Sequence, residues 1–435
     1  MNDSAKELLD FLNASPTCYH AVKNLADKLD SEGYIRLNEC ETWKLSAGKK
    51  YYTVRGESAL ISFRIPLKKP ASFLLSAAHS DSPCFKLREN AEVPSAGGTM
   101  RLSVEGYGGM IMRSWFDRPL SIAGRVFIKE KGAIHSKLLR IDRDLLIIPS
   151  LAIHMNREIN KGVELKANVD MLPLFSGKSE SGTFRKLIAD EVGVKEKDIL
   201  STELFLYPRT PAVYFGLHNE FIASPRIDDL ECAFCCFQGF LKAKKSDSLP
   251  VYCLFNNEEV GSGTRQGADS TFLDDIIHRI CSGLNMTDEE YFAAAAQSFM
   301  VSADNGHAIH PAHSEYADSN EYPVLNGGVV LKYNAAQKYT TDGLSGAVFS
   351  RVCEMAKVPC QRYSNRADLP GGSTLGHIST AHFSVPTADI GLPQLAMHSC
   401  YETGGADDAQ YLIKAMSVYF GLTMKRNDDL TISIN

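Results

Sequence analysis

Three short polar clusters, each directly after an apolar run, carry the residues of this sequence that are best suited to chemistry. The clusters are His79-Ser80-Asp81, Asn256-Asn257-Glu258-Glu259 and Asp304-Asn305-Gly306-His307. The apolar runs have the length of buried strands, and ligands in open α/β sheets bind beyond the carboxyl ends of the strands. We therefore expect the clusters to meet at one sheet edge, where together they are more informative than any one alone.

An imidazole and paired carboxylates are the groups that metal-assisted hydrolysis needs. Asp81 could hold the imidazole of His79 in the tautomer that a metal requires. Of Glu258 and Glu259, one could bind metal while its neighbour takes a proton from the metal-bound water. Each pair also has an ordinary interpretation. His79 and Asp81 could be a surface polar pair, and the two glutamates could begin a helix, where the dipole favours acids.

Two further candidates are weaker on their own. Asp228 lies in an acidic segment, 224–230, that opens a predicted helix, where an acid often serves only as a cap. His398 follows the predicted strand at 387–391 by a short loop, and a single histidine there is more often structural. Two other patterns fit a metal site less well. One is the histidine triplet His307, His310 and His313, whose helical spacing Pro311 interrupts. The other is half of a zinc-knuckle pattern, which we expect to be buried on a helix: Cys232, Cys235 and Cys236.

Strands alternate with helices in two parts of the chain, which is typical of a doubly wound α/β sheet with both faces covered. The predicted strands are 58–65, 71–78, 250–255, 299–303, 328–332 and 387–391, and the predicted helices are 5–12, 19–29, 228–243, 270–284, 344–356 and 407–424. Between these parts the chain is rich in glycine, with β-like pieces at 120–128 and 145–149 and a helix near 183–191. We predict an α/β domain made of 1–88 and 222–435, with a β-rich domain, 89–221, inserted in it.

The composition narrows the classes of function. The 435 residues contain 46 Lys and Arg against 52 Asp and Glu, a net charge of −6 without a basic tract, which disfavours a nucleic-acid partner. No apolar run reaches the roughly 18 residues of a membrane span, and the N-terminal segment lacks the regions of a secretory signal. The 11 cysteines are scattered, which fits reduced thiols better than a disulfide framework. We expect a cytoplasmic globular protein.

The ordered set of motifs in this chain resembles the M18 aspartyl aminopeptidase family. The matching segments are 78–81, 148–154, 224–230, 258–262, 302–304, 372–376 and 397–399. Any one of them is a weak signal, but they stand in the family's order over nearly the whole chain. The resemblance implies an α/β metallopeptidase domain with an inserted β-rich dimerisation domain. It also implies removal of an N-terminal residue, typically acidic, from peptides by two metal ions.

The resemblance also implies a role for each matching residue. His79 and Asp304 would each hold one side of the site, Asp228 would bridge the metals, and Glu259 and His398 would complete the ligands of the second metal. Glu258 would be the general base, and His154 would reach the active site of a neighbouring subunit in a tetrahedral dodecamer built from dimers. Ser399 shares the His398 motif and is expected near the substrate or the ligands. Zinc suits this mixed set of nitrogen and oxygen ligands, and manganese and cobalt remain open.

The choice of substrate rests on one lysine and two departures from the family. An acidic side chain needs a cation in its pocket, because burying an unpaired carboxylate is prohibitive. Lys332 ends the predicted strand at 328–332, at the same expected edge as Asp304, and matches a family lysine near the substrate; its ordinary interpretation is a solvated lysine. Many relatives carry Asp at Asn256 and Arg at Tyr401, which leaves the strictness of the preference open.

Two alternatives to an acidic-residue aminopeptidase remain. The first is a broad or neutral-residue aminopeptidase of similar fold, which the M18-like motifs at 224–230 and 397–399 disfavour. The second is an inactive scaffold or cargo protein that keeps the fold, which the intact Glu258 and the complete ligand set disfavour.

Overall fold

The computed structural model describes residues 3–434, which form ten α-helices and twenty-two strands. The helices are α1 (Asp3–Ala14), α2 (Cys18–Ser31), α3 (Ala167–Asp170), α4 (Thr183–Val192), α5 (Ile227–Lys242), α6 (Phe272–Gly283), α7 (Asp288–Ala296), α8 (Gly343–Ala356), α9 (Gly376–His382) and α10 (Asp408–Tyr419). The first eleven strands are β1 (Ile35–Arg36), β2 (Lys50–Arg55), β3 (Ala59–Arg64), β4 (Phe73–His79), β5 (Cys84–Ser95), β6 (Thr99–Tyr107), β7 (Leu120–Glu130), β8 (Ala133–Arg140), β9 (Leu174–Ser176), β10 (Ile199–Pro208) and β11 (Val213–Phe215). The others are β12 (Phe221–Ser224), β13 (Leu249–Phe255), β14 (Phe299–Ala303), β15 (Gly306–His307), β16 (Val329–Tyr333), β17 (Cys360–Ser364), β18 (Thr387–Gly391), β19 (Pro393–Leu395), β20 (Glu402–Gly405), β21 (Met424–Arg426) and β22 (Ile432–Ile434).

Nine strands form a mixed central sheet in the order β1-β2-β3-β13-β4-β14-β18-β16-β17. The middle strands β13, β4, β14 and β18 are parallel, so their carboxyl ends lie at one edge of the sheet. β3 and β16 run antiparallel to this group. Every residue of β4 and β13 is buried, which explains why these strands are continuous apolar runs in the sequence and do not alternate with polar residues.

Helices cover both faces of the central sheet, and alternate residues of each strand pack against different helices. Leu74 and Ala78 of β4 join a core with α1, α2, α5, α8 and α10. Phe73, Leu75 and Ala77 of the same strand join a second core with α6 and α7. Each fully buried Leu or Phe contributes roughly 1.5–3 kcal/mol, so both layers hold the strands, and with them the polar residues at the strand ends, in fixed positions.

Two smaller sheets flank the central one. A six-stranded antiparallel sheet, β8-β7-β10-β5-β6-β9, takes its strands from residues 84–208 and has its own hydrophobic core. A five-stranded sheet, β11-β12-β20-β19-β15, joins the end of the predicted insertion to the C-terminal part of the chain. The division into domains at 88/89 and 221/222 stays a prediction. Among residues 3–434, none of the helices combines the length and the apolar content that a bilayer crossing requires.

The predicted α/β class is confirmed, and most elements of the central sheet lie where the patterns indicate. The helix predicted at 407–424 is too long, because it ends at Tyr419 just before Gly421, and β21 already begins at Met424. The strand-like piece at 145–149 forms only isolated bridges through Leu146 and Ile147. The three neighbouring cysteines lie buried on α5 as expected: Cys232, Cys235 and Cys236.

Candidate metal centre and active site

The carboxyl ends of three adjacent parallel strands bring the first polar clusters together. His79 is the last residue of β4, and its neighbour across the sheet is Phe255, the last residue of β13. Glu258 and Glu259 follow β13 in a short 3₁₀ turn, and Asp304 follows β14 directly. The expectation that these clusters meet at one sheet edge is therefore confirmed.

Two further side chains reach the same place from other elements. Asp228 lies in the first turn of α5 and is 3% exposed. His398 lies in the loop between β19 and β20. The His398 Nε2 is 3.1 Å from Oδ2 of Asp228, while the His79 Nε2 is 3.5 Å from Oδ1 of the same residue. The two oxygens of one carboxylate thus face two different imidazoles.

The side chains at this edge form overlapping groups that are able to hold metal ions. One group contains His79, Asp228, Asp229 and Asp304, a second contains Asp228, Glu259 and His398, and a third contains His79, Glu258 and Glu259; within each group the ligand atoms lie within 4.8 Å of one another. Among residues 3–434, Oδ1 of Asp228, Oδ1 of Asp229 and Oε1 of Glu259 are buried without a hydrogen-bond partner. Buried carboxylate oxygens without donors fit cation ligands, and the nitrogen and oxygen set suits zinc.

Burial is the largest influence on the acids of this cluster. It raises the pKa of Glu258 to about 8, with Asp304 and Asp228 adding to the shift and His79 opposing it. For Asp228, too, burial is the largest single influence, but the imidazoles of His398 and His79 together outweigh it and hold the pKa of Asp228 below its ordinary value. Burial opposes charge on His79, but the contact with Asp228 and the other carboxylates raises its pKa. A carboxyl group with a pKa near neutrality is suited to accept and return a proton.

Asp81 connects the cluster after β4 with the cluster after β13. Its two oxygens accept the backbone N–H groups of Glu258 and Glu259, each at 3.2 Å, and Oδ2 also accepts the hydroxyl of Tyr107 at 2.7 Å. The Nδ1 of His79 lies 3.4 Å from Oδ1 of Asp81 and 3.1 Å from its carbonyl oxygen. Asp81 therefore orients the 3₁₀ turn that carries the two glutamates as well as the ring of His79.

Glu402 and Asp229 are site residues that the motifs did not single out. Glu402 accepts the backbone N–H of His398 at 2.7 Å through Oε1 and that of Asp228 at 3.1 Å through Oε2. The first bond holds His398 in its left-handed conformation, with φ of 65°. Asp229 accepts the backbone N–H of His79 at 3.0 Å. The adjacent acids Asp228-Asp229 in the sequence indicated that Asp229 could lie at the site. No sequence pattern indicated Glu402, because only the pairing of β20 with β12 brings it here.

Lys332 reaches the site by a different route from the one predicted. β16 is antiparallel to β18, so its carboxyl end does not lie at the edge that carries Asp304. The side chain nevertheless extends to that edge, where Nζ donates to the carbonyl oxygen of Asn305 at 2.9 Å. Lys332 is 2% exposed, so its interpretation as a solvated lysine is wrong. Burial would lower its pKa, but Asp304 and Asp389 outweigh burial and raise it, and the group stays charged.

Other candidates do not lie with the ligand groups. His154 is exposed, in a turn whose neighbours Leu151, Ile153 and Met155 are also exposed. Ser399 and Asp81 line a second cavity, and the Oγ of Ser399 accepts the backbone N–H of Tyr401 at 3.3 Å. His307 lines the mouth of the metal cavity, while His310 and His313 point into an adjoining groove.

Comparison with known proteins gives the family. The family model described as aminopeptidase I zinc metalloprotease (M18) matches residues 11–420. The chain belongs to the M18 aminopeptidase family. A probable M18 family aminopeptidase 2 from Clostridium novyi is 42% identical over 426 residues, covering 96% of this chain and 98% of the relative.

Solved structures agree with this assignment. The structure of the Ape4 and Nbr1 complex superposes with a TM-score of 0.93 at 36% identity, covering 96% of this chain and 85% of that one. The S. cerevisiae mApe1 dodecamer superposes with a TM-score of 0.85 at 26% identity, covering 97% of each chain. This M18 chain is thus a zinc-dependent aminopeptidase, a hydrolase that acts on peptides. The resemblance in the motifs is confirmed.

Proposed function

We propose that this M18 enzyme uses two zinc ions and removes N-terminal Asp or Glu residues from peptides. The observation that carries the two-metal proposal is Asp228, whose two oxygens face His79 and His398. Asp228 would bridge the ions. His79 and Asp304 would complete the ligands of one ion, and Glu259 and His398 those of the other.

Glu258 is the residue of this cluster that we assign to proton transfer. When bound, zinc lowers the pKa of water towards neutrality and polarises the carbonyl that is attacked. Glu258 accepts the proton of the attacking water and returns it to the leaving amine, which requires a carboxyl group with a pKa near the working pH. Burial and the neighbouring acids raise the pKa of Glu258 to about 8. Asp81 keeps the carboxyl group in place through the backbone N–H of Glu258.

Lys332 supports the preference for an acidic first residue. It lines the cavity that holds the ligand groups, together with Tyr339 and Thr374. Its ammonium group is 5.4 Å from the centre of the Tyr339 ring and donates one hydrogen bond to the carbonyl of Asn305. An ammonium group has three donors, and among residues 3–434 only the carbonyl of Asn305 accepts from this one, so two donors remain for a substrate carboxylate. A buried cation in this position offsets the cost of burying that carboxylate.

We further propose that the chain assembles into a homo-oligomer built from dimers. The S. cerevisiae relative is a dodecamer, which supports this proposal. His154 would enter a neighbouring subunit's active site, and the exposed apolar side chains beside it would be covered by that contact: Leu151, Ile153 and Met155. The eleven cysteines are free thiols, which supports placement in the reducing cytoplasm.

A panel of aminoacyl anilides tests these proposals together. The purified protein is loaded with zinc, manganese or cobalt, and kcat/KM is measured for Asp, Glu, Leu and Ala anilides. We expect Asp and Glu to be preferred by roughly 10- to 100-fold, the effect of one charged hydrogen bond of about 1.5–3 kcal/mol. Elemental analysis should find two zinc ions per chain.

Each alternative gives a different result in the same panel. Faster turnover of Leu or Ala would indicate a neutral-residue aminopeptidase and would contradict the role of Lys332. No turnover of any anilide by the zinc-loaded protein would indicate an inactive scaffold. A single zinc ion per fully active chain would contradict the bridging role of Asp228.

A further inference from the structure

A second groove opens from the mouth of the metal cavity. The two spaces share His307, Tyr363 and Gly372 in their walls. From there the groove runs between the segment 308–323 on one side and the segment 364–371 on the other. It is outside the ligand cluster but continuous with it, so a molecule bound at the metals can extend into it.

The charged side chains of the groove already have partners in their own walls. Arg366 pairs with Asp368, with Nε at 2.6 Å from Oδ1. The carboxylate of Glu321 accepts the hydroxyl of Ser364, and that of Asp318 accepts two backbone N–H groups. These contacts hold the charged side chains against the walls of the groove, so we look to its exposed rings for the recognition of a ligand.

Aromatic and apolar side chains supply the remaining surface. Tyr316 is 62% exposed and Tyr322 is 43% exposed, and both line the groove together with Ile309 and Leu369. Exposed rings gathered in a concave surface fit apolar side chains, because the rings bury large areas and pair favourably with other rings. The chemistry of the groove is thus that of a site for apolar or aromatic groups.

The backbone of the groove is held independently of these rings. The segment that carries Tyr316 is a 3₁₀ turn, Ser314–Tyr316, and it is tied to the opposite wall by the bridge between Ala317 and Asn365. The backbone N–H of Ile309 donates to the carbonyl of Pro323 at 2.8 Å. The Tyr316 ring also lies 6.2 Å from the His313 ring and 5.8 Å from the Arg366 guanidinium. Its truncation removes these side-chain contacts and a contact surface, but it leaves the backbone bonds of the groove in place.

The metal cavity and the groove differ in burial, and this difference indicates in which direction a bound peptide runs. Lys332 and Thr374 at the inner end are 2% and 3% exposed, whereas Tyr316 and Tyr322 of the groove are exposed. An aminopeptidase must hold the first residue at a closed end and let the rest of the peptide leave at the open end. We propose that the groove binds the second and third residues of the peptide substrate and favours apolar or aromatic side chains there. This inference rests on the proposed active site.

Peptides that differ only after the first residue test this inference. The substrates are Asp amide, whose leaving group is ammonia and does not reach the groove, and the peptides Asp-Ala-Ala, Asp-Phe-Ala and Asp-Ala-Phe. The variants are Tyr316→Ala and Tyr322→Ala, with Phe292→Ala as the matched control, because Phe292 is 63% exposed on α7 outside the groove. Wild type should prefer a peptide with Phe over Asp-Ala-Ala. Each tyrosine variant should reduce that preference by roughly two- to tenfold, the range for an aromatic pair, while the Phe292→Ala control keeps the wild-type preference and the rate with Asp amide stays unchanged.

A binding measurement separates the groove from turnover. In zinc-loaded Glu258→Gln protein, the affinity for Asp-Phe-Ala relative to Asp-Ala-Ala should fall in the same way when Tyr316→Ala is added. Loss of anilide hydrolysis by wild type would count against the proposed function, whereas this affinity ratio still reports on the groove. Equal affinity and kinetics for all three peptides, unchanged by either tyrosine variant, would overturn the inference. A tyrosine variant that alters only the choice of first residue would also overturn it, since the groove would then hold that residue.

Discussion

Glu402 joins the two halves of the metal centre, and its replacement by Gln is the sharpest test of that geometry. Oε1 accepts the N–H of His398 at 2.7 Å, and Oε2 accepts the N–H of Asp228 at 3.1 Å. The amide of Glu402→Gln has nearly the same shape but only one acceptor oxygen. Its NH₂ group must face one of the two backbone N–H groups, and that donor loses its partner.

The structure sets the size of the effect. Glu402 is 2% exposed, so the orphaned N–H group cannot turn to solvent. A buried donor without a partner costs about 1–3 kcal/mol, and 1.4 kcal/mol is a factor of ten in an equilibrium constant. Loss of a group that orients metal ligands typically weakens metal binding by roughly 10–100-fold. We therefore expect the variant to bind zinc about 10–100-fold more weakly, and to recover much of its activity when zinc is saturating.

Zinc affinity from competition with a chelator, together with thermal unfolding, distinguishes orientation of ligands from simple destabilisation. Asp408→Asn is the matched control, because Asp408 is fully buried and likewise accepts two backbone N–H groups, from Asn326 at 2.7 Å and Gly328 at 2.9 Å. The control should change thermal stability without changing zinc affinity. If Glu402→Gln loses stability and keeps wild-type zinc affinity, Glu402 supports the fold and does not orient the ligands.

The other predictions concern the proton transfer, the substrate pocket, the neighbouring subunit and the pH dependence of stability. Glu258→Gln should keep its zinc in elemental analysis but lose roughly 10²–10⁴-fold in turnover, because the amide cannot take a proton; loss of zinc as well would make Glu258 a ligand. Lys332→Met should lower kcat/KM for Asp and Glu anilides by a factor that corresponds to about 1–3 kcal/mol, and for Leu and Ala anilides by far less. An equal loss of kcat/KM for all four anilides would mean that the lysine supports the site's geometry. His154→Ala and Glu258→Gln oligomers should each be nearly inactive and should regain activity after co-assembly; no recovery, with mixing confirmed, would place His154 at its own chain's site. Burial raises the pKa of Asp408 to about 7, so the folded state binds this proton more tightly and stability should fall as pH rises from about 4 to 7; denaturant unfolding should show a smaller fall in Asp408→Asn.

The sequence predicted the part of the site that depends on local patterns. A strand buried on both faces must be apolar along its whole length, so a polar residue marks its end. His79, Glu258 and Asp304 stand directly at or just after such ends, and the structure brings them together. Parallel neighbours share an edge, which is why strand ends far apart in the sequence meet at one place.

The sequence failed where a position depends on pairing between distant strands. The direction of β16 decides on which edge Lys332 lies, and nothing in its five residues distinguishes parallel from antiparallel pairing. Glu402 comes to the site because β20 pairs with β12, where Ser224 is its partner. The edge strand β17 has no apolar run, because all its residues are partly or fully exposed, and it was missed for that reason.

The charge of the cluster explains why zinc belongs to the folded structure as well as to the reaction. The groups able to hold metal contain five carboxyl groups and two imidazoles. Lys332 adds a single ammonium group nearby, so buried negative charge exceeds positive charge unless protons or cations balance it. The raised pKa values of Glu258, Glu259 and Asp304, for which burial is the first cause, are one form of that balance. Divalent cations provide the other, since carboxylates bind them deprotonated. Zinc binding should therefore release protons and stabilise the fold, as any ligand that binds only the native state does.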